Sequence, residues 1–326
     1  MSDALLAERV VLEDFAAAVR AGLSRDPREI PARYLYDRGG SELFEQITYL
    51  PEYYPTRTEI SLIQRHSAAI AERVGTRRTV VEFGSGSSAK TPPFLNAVGA
   101  RAYVPIDISA HFLESAAKNV SAAVPDVDVY PLPGDFTHKL DLPAEVADHP
   151  KLGFFPGSTI GNMSTFEAVD VLRAFRATLG DDAHLVIGVD LKKDIGTLEA
   201  AYDDSQGITA EFILGILRRM QEDLSADLEI EDWEYHSFWN AEMGRIEMHV
   251  RAVRPTTIDL DNGHWSFSEG ETIHISNSHK YTLEESALLA RCAGFRQVEA
   301  WTDPERLFSL QLWRALPDDL DWQNRR

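Results

Sequence analysis

The chain has 326 residues, of which 44% are hydrophobic and 26% charged, enough for one large domain or two modest ones. Its 52 acidic and 32 basic residues give a net charge of −20, and such a surface repels phosphate backbones and anionic membranes. We therefore expect neither nucleic acid nor a membrane as partner. The single cysteine, Cys292, excludes an internal disulfide framework, and its apolar surroundings predict a buried structural thiol in a reducing compartment.

The sequence carries no signal for export, membrane insertion or metal binding. Its N-terminus lacks the basic start and apolar core of a secretory signal, and no apolar run is long enough to span a bilayer. The ten histidines include no H-x-x-x-H or H-E-x-x-H spacing, and neither a G-x-S-x-G elbow nor a Walker loop is present. We predict a cytoplasmic protein, a monomer, without a metal site.

The N-terminal part of the chain is predicted to be helical and rich in aromatic residues. Residues 3–25 have amphipathic helical spacing, and residues 60–75 are predicted to form a second helix. Between them, residues 32–59 (ARYLYDRGGSELFEQITYLPEYYPTRTE) contain more aromatic and turn-forming residues than an ordinary connecting loop.

From residue 79 the pattern changes to short apolar runs that alternate with helices, which is typical of parallel strands joined by crossovers. Capping boxes begin two of the helices, Ser164 with Glu167 and Thr282 with Glu285. The predicted parallel strands are Thr79–Phe83, Ala102–Ile106, Val127–Tyr130, Leu152–Phe155 and Leu185–Val189.

After Asp190 the alternation stops until about residue 280. The sequence predicts a largely helical stretch over residues 194–224, then three antiparallel strands, and two further strands near the C-terminus. These five strands are Trp233–Trp239, Arg245–Ala252, Thr257–Leu260, Gln297–Trp301 and Phe308–Trp313.

This order predicts an α/β fold with two discontinuous domains. Residues 60–194 and 280–326 are expected to form a doubly wound, Rossmann-like sheet that binds a nucleotide-type ligand. Residues 1–59 and 195–279 are expected to form a second, smaller α+β domain that covers the ligand cleft of the first.

The run VVEFGSGSSAKT, residues 80–91, is the clearest ligand-binding signal. A strand that ends in Gly84-Ser85-Gly86 lets a ligand approach the backbone at the carboxyl edge of an open sheet. Asp107 closes the next strand, where an acid meets ribose hydroxyls. A tight turn without a ligand is the alternative, and Asp107 with the later Asp135-Phe136 weighs against it.

The same run separates two candidate ligands. A dinucleotide-binding turn would read G-x-G-x-x-G, but its third glycine position is Ala89 here, and Glu82 stands just before the glycines. An acid there would repel a pyrophosphate, yet it could hold a positively charged or hydroxyl-bearing ligand. S-adenosylmethionine has no phosphate and carries a sulfonium and an ammonium group. The residues therefore favour this methyl donor over NAD.

Two later strand ends add candidate residues. Asp135 and Phe136 stand where such folds hold adenine, the carboxylate accepting from the exocyclic amine and the ring stacking. The alternative is a turn-forming aspartate beside a core phenylalanine. In FFPGSTIGNMS, Asn162 offers a donor and an acceptor to a ligand with adjacent amine and carboxylate, with a capped loop before the Ser164 helix as the alternative.

Six segments occur together in this order: LPEYYPTRTE, VEFGSGSSAKT, PGSTIGN, AYDDSQGITAEF, RIEMHVRA and SNSHKYT. As a set, they resemble the histidine N-alpha-methyltransferases that make hercynine, the betaine precursor of ergothioneine. The resemblance runs from about Tyr34 to Pro304, and LPEYYPTRTE and GSTIGN are its most specific parts. It implies a class I methyltransferase core, a second domain that helps enclose the amino acid, and three successive methyl transfers to one α-amine.

The resemblance also implies roles for individual residues. It places Tyr53 and Asn162 around the amine as the catalytic pair, and Tyr36 and Tyr202 beside the carboxylate, with Asn162 contributing. The implied walls and side-chain pocket comprise Phe44, Phe212, Met248, Ser276 and Ser278, the serines lying in an SNSHKY turn. The implied donor site comprises Gly84, Ser85, Gly86, Lys90, Asp107, Asp135 and Phe136.

One departure from the family pattern bears on the substrate. The family usually has a glutamate two residues before the serine matching Ser278, and that carboxylate binds the imidazole; this chain has Ser276. An asparagine also commonly follows the phenylalanine at Phe212, where this chain has Ile213. Histidine is the first expected substrate, and another aromatic amino acid (tryptophan, tyrosine or phenylalanine) is the alternative. A non-catalytic donor-binding protein and an NAD-dependent oxidoreductase are the alternatives from other classes.

Overall fold

The computed structural model describes residues 3–86, 90–108 and 110–317. The chain divides into two compact units. Unit 1 runs from the N-terminus to Tyr54 and includes Lys193–Ser278, and unit 2 contains Pro55–Lys192 and the residues from His279 onward. Each division falls slightly earlier in the chain than the predicted 59/60, 194/195 and 279/280. The first does so because a helix predicted to begin at Ile60 already begins at Tyr54.

The helices are α1 Asp3–Leu23, α2 Arg38–Tyr49, α3 Tyr54–Val74, α4 Thr91–Ala97, α5 Ala110–Ala123, α6 Thr165–Leu179, α7 Ile195–Ala200, α8 Ile208–Leu224 and α9 Leu283–Cys292. The strands are β1 Thr79–Phe83, β2 Ala102–Asp107, β3 Asp128–Val129, β4 Leu132–Pro133, β5 Lys151–Phe155, β6 His184–Asp190, β7 Trp233–Asn240, β8 Arg245–Ala252, β9 Thr256–Leu260, β10 Gly263–Phe267, β11 Thr272–His279, β12 Phe295–Thr302 and β13 Phe308–Ala315. A 3-10 helix, Thr159–Asn162, follows β5.

Unit 2 is built on one sheet with the strand order β12-β13-β6-β5-β1-β2-β3, and β4 also pairs with β2. The strands from β6 to β3 pair in parallel, whereas β13 pairs antiparallel with both β6 and β12. The predicted doubly wound α/β sheet is therefore confirmed, with its first strand in the centre. This arrangement brings the carboxyl ends of β1, β2, β5 and β6 to one edge.

Strand β1 is buried along its whole length, as expected for a strand covered on both faces, and its residues Val80, Val81 and Phe83 are apolar. Phe83 belongs to the core on one face and stacks on Phe175 of α6, with ring centroids 3.7 Å apart. On the other face, Phe94 of α4 stacks on Phe154 of β5 at 4.2 Å. Alternate residues of each strand thus anchor helices to opposite faces of the sheet.

The two capping boxes that the sequence predicts are present at the N-termini of α6 and α9 in unit 2. Ser164 accepts a hydrogen bond from the backbone of Glu167, whose carboxylate accepts one in return, so the first predicted capping box is present. Thr282 and Glu285 form the second in the same way. Because these bonds join residues three apart, the sequence alone determines them.

Unit 1 contains a three-stranded sheet in the order β11-β8-β7, in which β7 and β8 are antiparallel, and a hairpin of β9 and β10. Helix α8 packs against β7, β8 and α2 and buries Phe212, Ile216 and Met220. From β8, Ile246, Met248 and Val250 are buried. Apolar residues at helical spacing on α8 and at alternating positions on β8 thus form the core of this unit.

Several predicted features differ from the structure. The segment 32–59, for which no secondary structure was predicted, contains α2, and β10 and β11 were not predicted. The sequence predicts a turn at SNSHKY, but the first four residues of this segment are the last residues of β11. The prediction failed because their small polar side chains hide the alternation typical of a strand. Cys292 is exposed at the end of α9 rather than buried. No helix among the described residues is long and apolar enough to cross a bilayer.

Unit 2 contains a buried ion pair between Lys280 and Asp190, whose side chains are fully buried and 2.6 Å apart. The backbone bonds Tyr281 N to Asp190 O and Lys192 N to Tyr281 O continue this contact. The pair fixes the segment that follows β11 to the carboxyl end of β6. Because removing one partner of a buried pair leaves an uncompensated charge, we expect this attachment to be rigid.

Glu82 is a second buried acid, near the end of β1. Its Oε2 atom accepts hydrogen bonds from Thr91 Oγ1 at 2.8 Å and from the Tyr103 hydroxyl at 2.5 Å. Burial raises the pKa of Glu82 to about 7, although these bonds act in the opposite direction. The structure therefore does not support the prediction that Glu82 holds a ligand, since its carboxylate is buried against α4 and β2.

The raised pKa of Glu82 predicts a pH-dependent contribution to stability. The folded protein binds the proton of the Glu82 carboxyl more tightly than the unfolded chain does. The resulting contribution to the unfolding free energy is complete below the pKa of the unfolded chain and is lost as the pH rises through the pKa of the folded protein. Between the ordinary value of 4.5 and about 7, the wild type should lose up to about 3 kcal/mol of unfolding free energy relative to Glu82→Gln. Chemical unfolding of both proteins across this range measures the difference, and parallel pH profiles would contradict it.

Candidate functional site

The candidate ligand-binding residues of unit 2 lie at the carboxyl edge of its sheet. Gly84 to Gly86 follow β1, Asp107 ends β2, and Asn162 lies just after β5. Parallel strands all end at the same edge, so segments distant in sequence gather there. The sequence prediction depended on this geometry, because it selected residues by their position after a strand.

The glycine turn after β1 is built against the end of β2. The amides of Gly84 and Ser85 donate to the carbonyl oxygen of Ile106, and the Gly86 amide donates to Asp107 Oδ2 at 3.1 Å. Gly84 has a φ of +71°, and a Cβ there would meet the Phe136 ring at 3.1 Å. The backbone conformation and the close approach of this ring therefore both favour glycine at 84.

Asp107 is half-buried, and the next residue, Ile108, is 75% exposed. An isoleucine side chain on the surface beside a carboxylate offers an apolar face and a hydrogen-bond acceptor together. This combination suits a nucleoside, whose base is apolar on its faces and whose ribose carries hydroxyls. The sequence prediction missed Ile108, although an apolar residue directly after a strand-end acid was a usable signal.

Asp135 and Phe136 follow β4, and the structure gives them different environments. The Phe136 ring meets Phe155 and Phe175 edge-on, with centroids 6.1 and 5.9 Å away, so it packs partly into the core. The Asp135 side chain is 51% exposed and accepts hydrogen bonds from the amide and hydroxyl of Thr137. Burial acts to raise the pKa of Asp135, but the Thr137 bonds and the nearby His138 lower it overall. Asp135 is thus an ionised acceptor in a turn.

The segment after β5 is held by several hydrogen bonds. Ser158 has a φ of +53°, and its hydroxyl accepts from the Asp190 amide at 3.0 Å. Ser158 O accepts from the Gly161 amide, and Gly161 O lies 2.9 Å from His279 Nδ1. Asn162, at the end of the 3-10 helix, is exposed. A fixed backbone therefore presents the Asn162 amide at the carboxyl edge of the sheet.

Lys90 is paired within unit 2. Its ammonium group forms an ion pair with Glu59, whose side chain is fully buried, while the Lys90 side chain is 22% exposed. The sequence prediction assigned Lys90 to the donor site and gave Glu59 no role. Glu59 is the last residue of LPEYYPTRTE, and its place in that motif was the signal.

The residues at this edge fit S-adenosylmethionine. Bare glycine backbone, an exposed apolar side chain and the carboxylates of Asp107 and Asp135 match a ligand with an adenine ring, ribose hydroxyls and positive charge. The two carboxylates would repel a pyrophosphate. Among the residues described, no group of three histidine, cysteine, aspartate or glutamate side chains could hold a metal ion.

In unit 1, three of the predicted substrate residues form an aromatic cluster. The rings of Tyr36, Phe44 and Phe212 lie within contact of one another, with centroid distances of 5.6, 5.5 and 5.9 Å. Phe212 is buried, whereas Tyr36 remains 43% exposed. The cluster joins α2 and α8 and presents the tyrosine at its surface.

A second group in unit 1 combines tyrosine hydroxyls with a serine. The Tyr202 hydroxyl lies 2.7 Å from Ser278 Oγ, and the Tyr202 ring meets Tyr53 edge-on at 5.9 Å. Tyr235, which the sequence prediction missed, donates its hydroxyl to the Tyr202 carbonyl at 2.6 Å. Burial raises the pKa of Tyr235, so this hydroxyl stays a donor at neutral pH. The sequence signal that could have identified Tyr235 is its place in the alternating pattern of strand β7.

The remaining predicted pocket residues lie on neighbouring strands of unit 1. Met248 is buried on β8, and Ser276 is half-buried on β11. The structure thus joins Tyr53, Tyr202 and Ser278 in one group and Tyr36, Phe44 and Phe212 in another. It places Met248 and Ser276 on adjacent strands without joining them to either group by a hydrogen bond or ring contact among the described residues.

Known proteins that are similar to this chain are methyltransferases. A family model described as a histidine-specific, SAM-dependent methyltransferase matches residues 15–315. The histidine N-alpha-methyltransferase of Mycolicibacterium smegmatis is 39% identical, over 90% of this chain and 92% of that protein. Its counterpart of the same name in Mycobacterium tuberculosis is 34% identical with the same coverage.

A more distant relative is the 4-dimethylallyltryptophan N-methyltransferase of Claviceps fusiformis, which is 26% identical over 90% of each chain. The family match and the mycobacterial relatives each extend over most of this chain. The chain therefore belongs to the histidine-specific, S-adenosylmethionine-dependent methyltransferases and is an N-methyltransferase that uses that donor.

Proposed function

We propose that this enzyme methylates the α-amine of free L-histidine three times, giving the betaine hercynine, the precursor of ergothioneine. The observation that carries the proposal is the hydroxyl pair of Tyr202 and Ser278 beside Tyr53. Hydroxyls grouped with aromatic rings suit a small ligand that has a polar amino-acid end and a flat side chain. The names of the mycobacterial relatives support histidine as that ligand.

The donor supplies an electrophilic methyl group on a sulfonium, and the protein residues bind and orient the amine that accepts it. Asn162 can accept from the amine through its amide oxygen and donate to the carboxylate through its nitrogen. The proton that the amine releases before each transfer passes to solvent, either through a water beside Tyr53 or through the Tyr53 hydroxyl, which accepts it while donating its own proton onward. Orientation supplies much of the rate in such reactions, about 7–11 kcal/mol in well-aligned systems.

Recognition of the rest of the amino acid is assigned to unit 1. Tyr36 and Tyr202 donate hydroxyl hydrogen bonds to the carboxylate, and Phe44 and Phe212 form apolar walls. Met248, Ser276 and Ser278 contact the side chain of the substrate. Because Ser276 stands where the family usually has glutamate, an imidazole would be held by neutral hydroxyls rather than by a carboxylate.

The deciding experiment incubates the enzyme with donor and a mixture of all twenty amino acids and identifies the products by mass spectrometry. We expect histidine to gain three methyl groups. Products only from tryptophan, tyrosine or phenylalanine would favour the alternative substrates, and the tryptophan derivative in the name of the Claviceps relative makes tryptophan the first of these to examine. Donor binding without any methylated amino acid would contradict the proposal.

Two alanine variants should separate the donor and amine functions. Asp107→Ala should weaken donor binding by roughly 1.5–3 kcal/mol, the range for hydrogen bonds to a charged group. Asn162→Ala should leave donor affinity near that of the wild type while raising the amino-acid KM and lowering kcat. Calorimetry and steady-state kinetics measure both. If Asn162→Ala abolished donor binding and spared the amino-acid KM, Asn162 would belong to the donor site.

A third substitution tests the side-chain end of the site. Ser276→Glu should raise kcat/KM for histidine by about tenfold or more, because it adds a charge-assisted hydrogen bond to the imidazole. It should penalise tryptophan and phenylalanine, which would leave the new carboxylate buried and unpaired. Ser276→Gln, of similar size but uncharged, is the matched control and should gain less. An unchanged ranking of substrates in the glutamate variant would show that residue 276 does not face the side chain.

A further inference from the structure

Glu59 is a fully buried carboxylate on α3, and neither the donor-site residues nor the amine-site residues include it. It lies against β6, where a Cβ added to Gly188 would come within 2.0 Å of Glu59 Oε1. Only a residue without a side chain leaves room for the carboxylate at that point of the strand. The sheet is therefore shaped around this acid.

The two oxygens of Glu59 have different partners. Oε2 lies 2.5 Å from the Lys90 ammonium nitrogen, and Oε1 accepts a hydrogen bond from the Gly157 amide at 2.7 Å. Lys90 is the residue before α4, and Gly157, with a φ of +82°, begins the turn that leads to Asn162. One buried side chain thus holds a donor-site residue and the start of the segment that carries the amine-site residue.

We propose that Glu59 is a positioning residue that acts through these two contacts. The proposal rests on the donor-site role that the family resemblance implies for Lys90 and on the proposed function for the role of Asn162. Its contact with Lys90 fixes the position of the Lys90 ammonium group relative to the methyl donor. Its contact with Gly157 sets the path of the Asn162 segment. An ion pair between a buried carboxylate and a mostly buried ammonium has defined geometry, because few alternative positions satisfy both charges.

Substitution by glutamine separates the two contacts. Glu59→Gln keeps an oxygen for the Gly157 amide but replaces the charged partner of Lys90 with a neutral amide. We expect donor affinity to fall by about tenfold, the lower end of the range for a charge-assisted bond, while the amino-acid KM stays near the wild-type value. Glu59→Leu removes both contacts and should impair donor affinity and amino-acid KM together.

Coupling to Lys90 tests whether Glu59 acts through that residue. The double variant Glu59→Gln with Lys90→Met should bind donor no more weakly than Lys90→Met alone, because the residue that Glu59 positions is already absent. Glu72→Gln makes the same chemical change at an exposed site on the same helix and should leave donor affinity unchanged. Titration calorimetry with donor gives these affinities without turnover, and thermal unfolding checks that each variant is folded.

Two outcomes would overturn the proposal. Wild-type donor affinity in folded Glu59→Gln would show that the carboxylate does not position Lys90, and additive losses in the double variant would show that it acts through another residue. If Glu59→Gln does not fold, Glu59→Asp replaces it in the experiment. The aspartate keeps the charge but is one methylene shorter, so the carboxylate no longer reaches Lys90, and we expect the same loss of donor affinity. Because donor binding is measured without an amino acid, failure of the proposed amino-acid specificity would leave this test intact.

Discussion

The parallel alignment of β2, β1, β5 and β6 is the constraint on which the rest of unit 2 depends. Parallel strands point their carboxyl ends to one edge, so every segment that leaves a strand there can contribute to one ligand site. Helices pack on both faces of the sheet, which favours apolar strands and places the candidate chemistry in the turns that follow them. The glycine turn, Asp107, Asp135 and Asn162 follow from that single arrangement.

Three acids are buried near this edge, and each is stabilised in a different way. Asp190 is neutralised by Lys280 in a fully buried pair. Glu82 accepts from two hydroxyls and has a raised pKa, so part of its stabilisation comes from being protonated. Glu59 shares its charge between Lys90 and a backbone amide. Buried charge is costly, and these partners reduce that cost while fixing the positions of the segments they join.

The proposed function gives the aromatic and hydroxyl groups of unit 1 two tasks, recognition of the amino-acid end of the substrate and recognition of its side chain. The Tyr202–Ser278 pair and the Tyr36 cluster offer contacts suited to the amino-acid end that all such substrates share. We propose that the choice of side chain depends on few residues, among them Ser276, which stands where the family usually has glutamate. On this proposal, a carboxylate gained or lost at residue 276 would change which ring is favoured, because a buried charge requires a partner.

The sequence by itself determined the features that depend on neighbouring residues or on strand periodicity. The two capping boxes, the five predicted parallel strands and the glycine turn after β1 are set by local hydrogen bonds, short apolar runs and backbone freedom. Strand β11 escaped prediction because its alternation is masked by small polar residues, and the exposure of Cys292 depends on which face of α9 meets the core. Only the tertiary structure decided that Glu82 is buried and that Glu59 joins Lys90 to Gly157. These contacts link residues far apart in the chain, and no local pattern encodes a bond between them.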